Sequence, residues 1–442
     1  MNLNTYLLRS TLVGALGGLL FGFDTAVIAG TTHALTLQYH LSSSQLGVTV
    51  SSALVGTILG AALASIPGQR IGRRDSLRIL ALLYVISALG CSFAWSWPAL
   101  LFFRSIGGLG IGGSSVLGPM YIAEIAPAAW RGRLVGTFQI NIVVGILLAY
   151  LSNFLIALLH LGAMEWRWQL GAATLPALFF LLMLFSVGRS PRWLALQGRL
   201  QEAYTALVQC GADNANEEMQ AILKSIHADE TAQASVLFQK KYWLPIFLAV
   251  TLGIFNQLSG INAILYYLND IFAQAGFSRL SSDVQAVYIG LANLLATLAA
   301  MTLIDRLGRK TLLLLGAAGM TVCLSLVALI FQTGRNTSSL LALLICYIVA
   351  FAISQGAVVW VYLGEVFPTN VRAQGQSLGS SANWISNAII SGIFPLFALR
   401  HASAPFYFFA AMMALQFFIV LFVYPETKGL TLEQMQRKLG IA

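Results

Sequence analysis

Long apolar runs, separated by short polar breaks, dominate this sequence. Charged residues make up 9% of the 442 residues and hydrophobic residues 58%, whereas about a quarter of an ordinary soluble domain is charged. A soluble fold could not bury that much apolar surface, so the chain is expected to lie in lipid. Within lipid every backbone polar group needs an internal partner. The predicted fold class is therefore an all-α membrane protein.

Twelve of the apolar runs are long enough to cross a bilayer. Their approximate extents are 7 to 33, 45 to 68, 77 to 95, 98 to 125, 133 to 158, 167 to 187, 243 to 274, 284 to 304, 311 to 332, 339 to 364, 373 to 398 and 405 to 424. The first run is longer than a signal-peptide core, so we expect a membrane helix there rather than a cleaved signal.

One long polar interval divides the chain into six spans and six spans. The predicted divisions are a first half over 1–188, a linker with short amphipathic helices over 189–241, a second half over 242–424 and a tail over 425–442. Each half is predicted to be a six-helix unit.

The lysines and arginines fall mostly on one side of the predicted spans. Twenty of the 25 occupy the N-terminus, the loops after spans 2, 4, 6, 8 and 10, or the C-terminal tail. By the positive-inside rule, these segments and both termini are expected to be cytoplasmic. The net charge of +9 reflects this asymmetry and predicts no nucleic-acid patch. The scattered histidines and cysteines lack metal or disulfide spacing, so neither a metal nor a cofactor is expected.

Matching loop motifs recur in the two halves. IGRRDSLRIL (71–80) and LGRKTLLLLG (307–316) follow spans 2 and 8, while AEIAPAAWRGR (123–133) and GEVFPTNVRAQ (364–374) end spans 4 and 10. Such internal symmetry is typical of a transporter built from two parallel halves around a central site.

Asp24 and Arg104 are the two formal charges well inside the predicted spans. Counted at 1.5 Å per residue, Asp24 lies about 13 Å and Arg104 about 9 Å from the same membrane face. An isolated charge at that depth costs several kcal/mol, so we expect the two to pair. Burial favours the neutral acid and the guanidinium favours the carboxylate, so a movement that separates them lets Asp24 take up a proton. A static structural pair is the alternative.

Neutral polar side chains within the spans are suited to a ligand that carries several hydroxyl groups. A carboxamide offers both a donor and an acceptor to vicinal hydroxyls, and indole rings offer flat apolar faces. The alternative for each amide is a hydrogen bond between helices. Ser259 and Gly260 mark a point where span 7 is expected to loosen. The candidate substrate-binding residues are Gln139, Asn256, Gln257, Asn262, Asn293, Trp360, Asn383 and Trp384.

A set of motifs resembles the sugar porter family of the major facilitator superfamily, and bacterial proton-coupled monosaccharide transporters in particular. The motifs, in chain order, are GGLLFGFDTAVIAG, RSIGGLGIGGSSVLGPMYIAEIAPAAWRGRL, SPRWL, QLSGINAILYY, DRLGRK, GEVFPTNVRAQGQSLGSSANW and PETKGLTLEQM. The resemblance implies the twelve-helix major facilitator fold in a bacterial inner membrane. It also implies proton coupling, because proton-coupled members carry an Asp at position 24 and facilitative animal relatives carry a neutral residue.

The resemblance further implies a gate and a switch. Tyr266 and Tyr267 look like the outer gate, although ordinary aromatic packing is the alternative. An ion network at the cytoplasmic helix ends would bias a two-state equilibrium, although solvated loop charges remain the alternative, notably at Arg73. The predicted network comprises Glu124, Arg131, Asp305, Arg309, Glu365 and Arg372.

Several residues depart from the family pattern. Gln69 stands where an Asp is usual, and Arg189 replaces the Glu expected before SPRWL, which predicts a weaker cytoplasmic latch in the first half. Asn256 stands where Gln is usual, Ile146 offers no hydrogen bond near Gln139, and Ala357 stands where Pro is usual. These changes leave the choice between a hexose and a pentose open.

The leading hypothesis is proton-coupled import of a monosaccharide by a monomer. A facilitative sugar or polyol uniporter on the same fold is the first alternative. A sugar-sensing receptor is less favoured because only about 18 residues follow span 12. An enzyme is least favoured because no nucleophile, base and metal-ligand set lies within one leaflet.

Overall fold

The chain is helical in every part that the structure describes. The structure, a computed structural model, describes residues 4–127, 130–212, 214–231, 237–368, 371–398, 401–429 and 432–441. No strand occurs within these ranges. Helices satisfy their own backbone hydrogen bonds, as lipid requires. The predicted fold class is confirmed in this respect.

The helices of the first half and of the linker follow the predicted order. Their bounds are Thr5–Val27, Thr32–Tyr39, Ser43–Leu63, Ser65–Arg70, Arg73–Ser92, Trp97–Ile125, Arg131–Ala157, Glu165–Gly171, Thr174–Met183, Pro191–Leu196, Leu200–Gln209 and Ala215–Thr231.

The second half repeats this arrangement. Its helices are Trp243–Leu258, Ile261–Tyr266, Leu268–Gln274, Arg279–Leu307, Arg309–Thr333, Leu340–Phe351, Ala357–Glu365, Arg372–Ala398 and Ala404–Val423, followed by Leu432–Lys438 in the tail.

Ten helical segments of the described residues are long and apolar enough to cross a membrane. The other two predicted spans are helical as well. Span 6 is divided between Glu165–Gly171 and Thr174–Met183. Span 11, Arg372–Ala398, carries several amide and hydroxyl side chains and is therefore less apolar than the rest. All twelve predicted spans thus correspond to helices.

Spans 1, 7 and 10 also depart from a continuous α-helix, as span 6 does, and span 2 is divided between Ser43–Leu63 and Ser65–Arg70. Span 1 ends at Val27 and continues as the 3₁₀ turn Ile28–Gly30. Span 7 breaks after Leu258, as predicted, because Gly260 adopts a left-handed φ of 83° before the next helix starts. Tyr347 donates a hydrogen bond to the Ser259 carbonyl at 2.9 Å, so the break leaves that carbonyl satisfied.

Span 10 contains the π turn Ala352–Gly356, which the sequence analysis did not predict. A π turn changes which backbone groups pair along the helix. The Ser354 hydroxyl donates to the Ala350 carbonyl at 2.6 Å. It also fills the space beside Gly316, where an added Cβ would lie 1.9 Å from the hydroxyl oxygen. The turn therefore depends on packing against span 9.

The described helices form two compact units. Unit 1 comprises Met1–Val27, Ser52–Ser152 and Leu161–Gln233. Unit 2 comprises Ile28–Ser51, Asn153–His160 and Ala234–Ala442. We call the helix ends that carry the lysine- and arginine-rich loops the basic end, and the other ends the opposite end.

Unit 2 includes the opposite ends of spans 1, 2 and 5 together with the second half. Thr32, just after span 1, hydrogen-bonds Asp270, just after span 7. A Cβ added at Gly47 of span 2 would lie 1.9 Å from the Gly392 carbonyl oxygen of span 11. The opposite ends of these first-half helices are therefore packed tightly on second-half helices.

The linker forms a small packed cluster within unit 1. The helices Pro191–Leu196, Leu200–Gln209 and Ala215–Thr231 bury Trp193, Ala203 and Ile226 against one another. Each of these short helices contributes to the cluster from one face.

Gly260→Ala should destabilise the chain by about 1–3 kcal/mol, the usual cost of a non-glycine residue held in a left-handed conformation. The new methyl group would also lie 2.4 Å from the Phe409 ring. The measurement is the thermal unfolding midpoint in detergent. Gly132→Ala is the matched control, because nothing lies within 4 Å of its added Cβ. Equal midpoints for Gly260→Ala and Gly132→Ala would contradict the left-handed conformation assigned to Gly260.

Candidate functional site

A small cavity in unit 1 is lined by both of the charges that the sequence singled out within the spans. Its volume is about 20 Å³, enough for about one water molecule. The lining residues are Leu20, Asp24, Val27, Tyr84, Ser87, Ala88, Cys91, Arg104, Leu170 and Ala173. Spans 1, 3, 4 and 6 all contribute to it. The cavity therefore lies inside a single unit and places two charged side chains among largely apolar walls.

Asp24 and Arg104 interact electrostatically across this cavity. The Arg104 side chain is deeply buried, with 3% of its surface exposed, and its positive charge attracts the Asp24 carboxylate. Asp24 is half-buried and lines the cavity together with Arg104. The carboxyl thus has a cationic neighbour and adjoining free space, which is the arrangement that a group changing its protonation state requires.

The sequence analysis missed the polar residues of span 3 in this cavity. Tyr84, Ser87 and Cys91 line it together, and their i, i+3, i+7 spacing places them on one helical face. The Tyr84 hydroxyl lies 3.2 Å from the Ser114 hydroxyl of span 4. That helical spacing of polar residues in an apolar span was the available signal.

Four of the predicted substrate residues form one amide network in unit 2. Gln257 Nε2 donates to Asn383 Oδ1 at 3.0 Å and to Asn256 Oδ1 at 3.1 Å. Asn262 Nδ2 donates to Gln257 Oε1 at 3.0 Å. The network joins both parts of the broken span 7 to span 11, and Gln257 is at its centre.

Close helix packing brings these amides together. A Cβ added at Gly253 would lie 2.4 Å from the Gly379 carbonyl oxygen, so spans 7 and 11 approach backbone to backbone. Gln257 and Asn383 each lie one helical turn further along their helices and meet there. The break at Gly260 places Asn262 beside them.

The remaining candidate residues occupy varied environments. In unit 2, Asn293 and Trp384 are buried, at 7% and 8% exposure, whereas Trp360 is 44% exposed. In unit 1, Gln139 is half-buried on span 5, and Ile146 is buried on the same helix. The hydrogen-bonded network therefore contains four of the eight candidates, and the roles of all eight stay predictions.

The predicted gate residues pack against span 11. The Tyr267 hydroxyl donates to the Ser391 carbonyl at 3.0 Å, and its ring stacks on Phe394 with centroids 5.1 Å apart. Asn387 lies 3.5 Å from the Tyr266 hydroxyl. Both tyrosines are buried. The opposite end of span 7 is therefore packed against span 11. A gating role for the two tyrosines stays a prediction.

The basic ends of the two units contain matching ion pairs. In unit 1, Glu124 accepts from Arg73 Nη2 at 2.8 Å and from the Ser190 hydroxyl. In unit 2, Glu365 accepts from Arg309 Nη2 at 2.9 Å and from the Thr427 hydroxyl at 2.6 Å. An arginine, a glutamate and a hydroxyl thus recur in each unit.

The first-half pairing differs from the one predicted. Glu124 pairs with Arg73, which was treated as a possible solvated loop charge but is only 8% exposed. Arg131 is exposed at the start of span 5. The positive φ of Gly72, 92°, turns the chain so that Arg73 reaches back to Glu124. Arg372 donates to the Phe367 carbonyl at 3.3 Å. The side chain of Asp305 lies outside the described residues.

One acid is present in the second half and replaced in the first. Glu426 accepts from the backbone N–H groups of Arg309 and Lys310, at 2.9 and 3.0 Å, and so caps the start of span 9. Arg189 of the SPRWL segment instead binds Asp75 at 2.9 Å. The corresponding segment of the first half thus places a cation where the second half places an acid. The weaker first-half latch stays a prediction.

The comparisons with known proteins agree with this arrangement. The family described as "Sugar (and other) transporter" matches residues 10–439. The D-xylose-proton symporter of Escherichia coli (strain K12) is 36% identical, over 98% of this chain and 96% of that protein. The arabinose-proton symporter of Bacillus subtilis (strain 168) is 34% identical, over 96% and 92% of the two chains.

Solved structures show the same fold. The E. coli xylose transporter in an inward open conformation matches with a TM-score of 0.88 at 34% identity, covering 98% of this chain and 100% of that one. The proton:xylose symporter bound to 6-bromo-6-deoxy-D-glucose matches with a TM-score of 0.82 at 35% identity, covering 99% and 100%. The molecule is an integral membrane transporter with the twelve-helix major facilitator fold. The chain belongs to the sugar transporter family.

Glu426 gives a pH-dependent test of the cap. Partial burial alone would raise the pKa of Glu426, but the backbone N–H groups of Lys428, Arg309, Lys310 and Thr427 lower it below its ordinary value. Stability from a lowered carboxyl pKa is present above the ordinary glutamate pKa of about 4.3 and is lost as the pH falls through the folded value. Glu426→Gln should therefore lower the thermal unfolding midpoint at pH 7.

The difference between wild type and Glu426→Gln should close as the pH is lowered below about 4. Glu217→Gln is the control, because Glu217 is exposed on the linker and should shift the midpoint little at any pH. A gap for Glu426→Gln that stays constant between pH 7 and pH 3.5 would contradict the capping role of the carboxylate.

Proposed function

We propose that this chain is a proton-coupled symporter that imports a monosaccharide, a hexose or a pentose, by alternating access. The observation that carries the proposal is that Asp24 lines a small cavity together with the buried Arg104, whose charge attracts its carboxylate. A facilitative carrier has no need of a buried carboxylate, which is costly to keep in a membrane. The names of the proton symporters among the relatives support the same reading.

Proton transfer at Asp24 follows from its surroundings. Attraction by Arg104 favours the carboxylate, and a shift of span 1 against span 4 that weakens this attraction favours the neutral acid. The cavity has room for about one water molecule, which can hand a proton to the carboxyl. Arg104 remains charged throughout. One proton moving down about 100 mV supplies roughly 2.3 kcal/mol, enough for about fiftyfold accumulation of a neutral sugar.

The sugar is bound by the amide network of unit 2. Asn256, Gln257, Asn262 and Asn383 already hydrogen-bond one another, so their orientation is fixed before a sugar arrives. Each sugar hydroxyl exchanges hydrogen bonds with a carboxamide that both donates and accepts. Trp384 and the exposed Trp360 supply aromatic faces for the ring. Asn293 and Gln139 complete the proposed contacts.

Switching between states uses the ends of the helices. The pairs Arg73–Glu124 and Arg309–Glu365 at the basic end break when that end opens, while Tyr266 and Tyr267 separate from span 11 when the opposite end opens. Both termini and the linker are cytoplasmic, by the distribution of basic residues. The six-helix halves move as bodies within one monomer.

Asp24→Asn should abolish uphill accumulation of sugar while leaving sugar counterflow intact. The new asparagine side chain cannot take up and release a proton as a carboxylate does, and the substitution does not alter the amide network of unit 2. The measurement is radiolabelled uptake into proteoliposomes with and without an imposed proton gradient. Asp283→Asn is the matched control, since Asp283 is also buried, at 2% exposure, but lies outside the cavity. It should retain accumulation.

Three outcomes decide between the functions. Full accumulation by Asp24→Asn would overturn the coupling role. Equal sugar uptake by the wild type with and without the proton gradient would favour the uniporter alternative. Sugar binding with neither uptake nor counterflow in the wild type would favour a receptor.

Gln257→Leu should raise the KM for sugar by about tenfold, while its loss of stability should resemble that of the control because both remove buried amide hydrogen bonds. Loss of one or two net hydrogen bonds of about 1 kcal/mol each corresponds to roughly that factor. The control is Gln416→Leu, which removes a buried amide of span 12 that binds Gln355 at 2.6 Å outside the network. An unchanged KM in Gln257→Leu would show that the network is only structural.

A further inference from the structure

Four arginines converge at the basic end of unit 1, where span 6 ends. We call Arg9, Arg74, Arg78 and Arg189 the arginine cluster. Asp75 Oδ1 accepts from Arg74 at 2.9 Å and from Arg78 at 2.8 Å, and its Oδ2 accepts from Arg189 at 2.9 Å. A single carboxylate thus holds three of the four guanidinium groups together.

The cluster also donates hydrogen bonds to backbone carbonyls, and Arg9 and Arg189 lie over the rings of Tyr6 and Trp193. Arg9 donates to the Ser186 carbonyl at 2.6 Å and Arg74 to the Val187 carbonyl at 3.3 Å. Arg78 donates to the Leu184 carbonyl at 3.0 Å. Cations suit the carbonyl end of a helix, but these contacts do not neutralise the guanidinium groups.

The cluster therefore has excess positive charge that is open to solvent. One carboxylate faces four arginines, and Arg78 is repelled by both Arg74 and Arg189. The side chains of Arg74, Arg78 and Arg189 are 18%, 23% and 32% exposed, and Arg9 is exposed. Their free donors can reach an anion.

The second half has an acid in the region that corresponds to Arg189. There the start of span 9 is capped by Glu426, and Arg309 pairs with Glu365. In the first half Arg189 instead adds a cation to this region. Part of the positive charge of the cluster therefore comes from a specific residue and not from the repeated architecture.

An apolar stripe begins directly beside the cluster. The Arg78 guanidinium lies over the Phe185 ring at 4.3 Å, and this ring is 64% exposed. Exposed residues continue along span 6 at helical spacing, away from the basic end. They are Leu182, Phe179, Leu178 and Leu175. In a membrane this stripe faces lipid tails, so the cluster lies where the headgroups are.

We propose that the arginine cluster binds the phosphate headgroup of an anionic phospholipid, whose acyl chains lie along the stripe of span 6. Arginine forks match phosphate oxygens in geometry and charge, and basic pockets at the cytoplasmic side of membrane helices suit such headgroups. A soluble phosphate would use the guanidinium groups but not the stripe. The ligand is therefore a lipid.

Native mass spectrometry of the chain released from nanodiscs tests this proposal. The nanodiscs contain phosphatidylglycerol and phosphatidylcholine in equal amounts. We expect the wild type to retain phosphatidylglycerol selectively. Arg9→Gln should weaken this retention about fivefold and the double variant Arg9→Gln/Arg189→Gln about thirtyfold, at about fivefold for each arginine near a charged headgroup.

Arg133→Gln is the matched control. Arg133 is exposed at the same basic end, over Trp130 and outside the cluster, so it reports any effect of charge alone and should change retention by about twofold or less. Arg189→Lys keeps the positive charge but loses the planar guanidinium donors. It should retain part of the selectivity for phosphatidylglycerol.

Several results would overturn the proposal. They are equal retention of the two lipids by the wild type, unchanged retention in the double variant when its thermal midpoint matches wild type, or an equal loss in Arg133→Gln. Arg9→Gln removes only one hydrogen bond from an exposed side chain, so it decides the question if the double variant fails to fold. Displacement of the lipid by inorganic phosphate alone would indicate a soluble-anion site and would also contradict the proposal.

Discussion

The attraction between Asp24 and Arg104 is the interaction on which the proposed transport depends. A lone charge at that depth would cost several kcal/mol, and each of these residues makes the other tolerable. Around them the cavity supplies hydroxyl groups from Tyr84 and Ser87 and room for about one water molecule. The pair is therefore stable enough to exist and has the surroundings that proton exchange needs.

The proposed transport also assigns roles to the amide network and to the ion pairs. The network around Gln257 links both parts of span 7 to span 11, so a sugar bound there contacts the broken helix directly. The pairs at the basic end give each unit a contact that can open and close. Binding, coupling and switching are thus assigned to separate groups of residues, which can be altered independently.

Much of the fold was predictable from sequence because lipid permits few solutions. Twelve apolar runs predicted twelve helices. Ser259 and Gly260, which lie between the amide residues of span 7, predicted the point at which that helix breaks. The π turn of span 10 was not predictable, since it depends on Ser354 packing beside Gly316 of another helix. Sequence alone did not identify Arg73 as the partner of Glu124, because a basic residue in a loop is often only a solvated charge. The positive φ of Gly72 places Arg73 next to Glu124.

The two halves show how one scaffold can carry different charges. Both place an arginine, a glutamate and a hydroxyl at the basic end, yet Glu426 caps span 9 where Arg189 gives unit 1 an additional cation. The shared arrangement follows from internal repetition, whereas the difference gives the first half a surface suited to anionic headgroups. A comparison of the two halves thus distinguishes the ion pairs that both share from the additional cation that only the first half has.

Difference infrared spectroscopy of the carboxyl C=O stretch tests the central claim most directly, because it detects protonation of a buried acid without relying on transport. Spectra would be recorded with and without sugar near neutral pH, with isotope-labelled aspartate to assign the band. The account predicts that sugar changes a protonated aspartic acid band and that Asp24→Asn removes this change. A spectrum without such a band, or a band that persists unchanged in Asp24→Asn, would contradict Asp24 as the proton carrier.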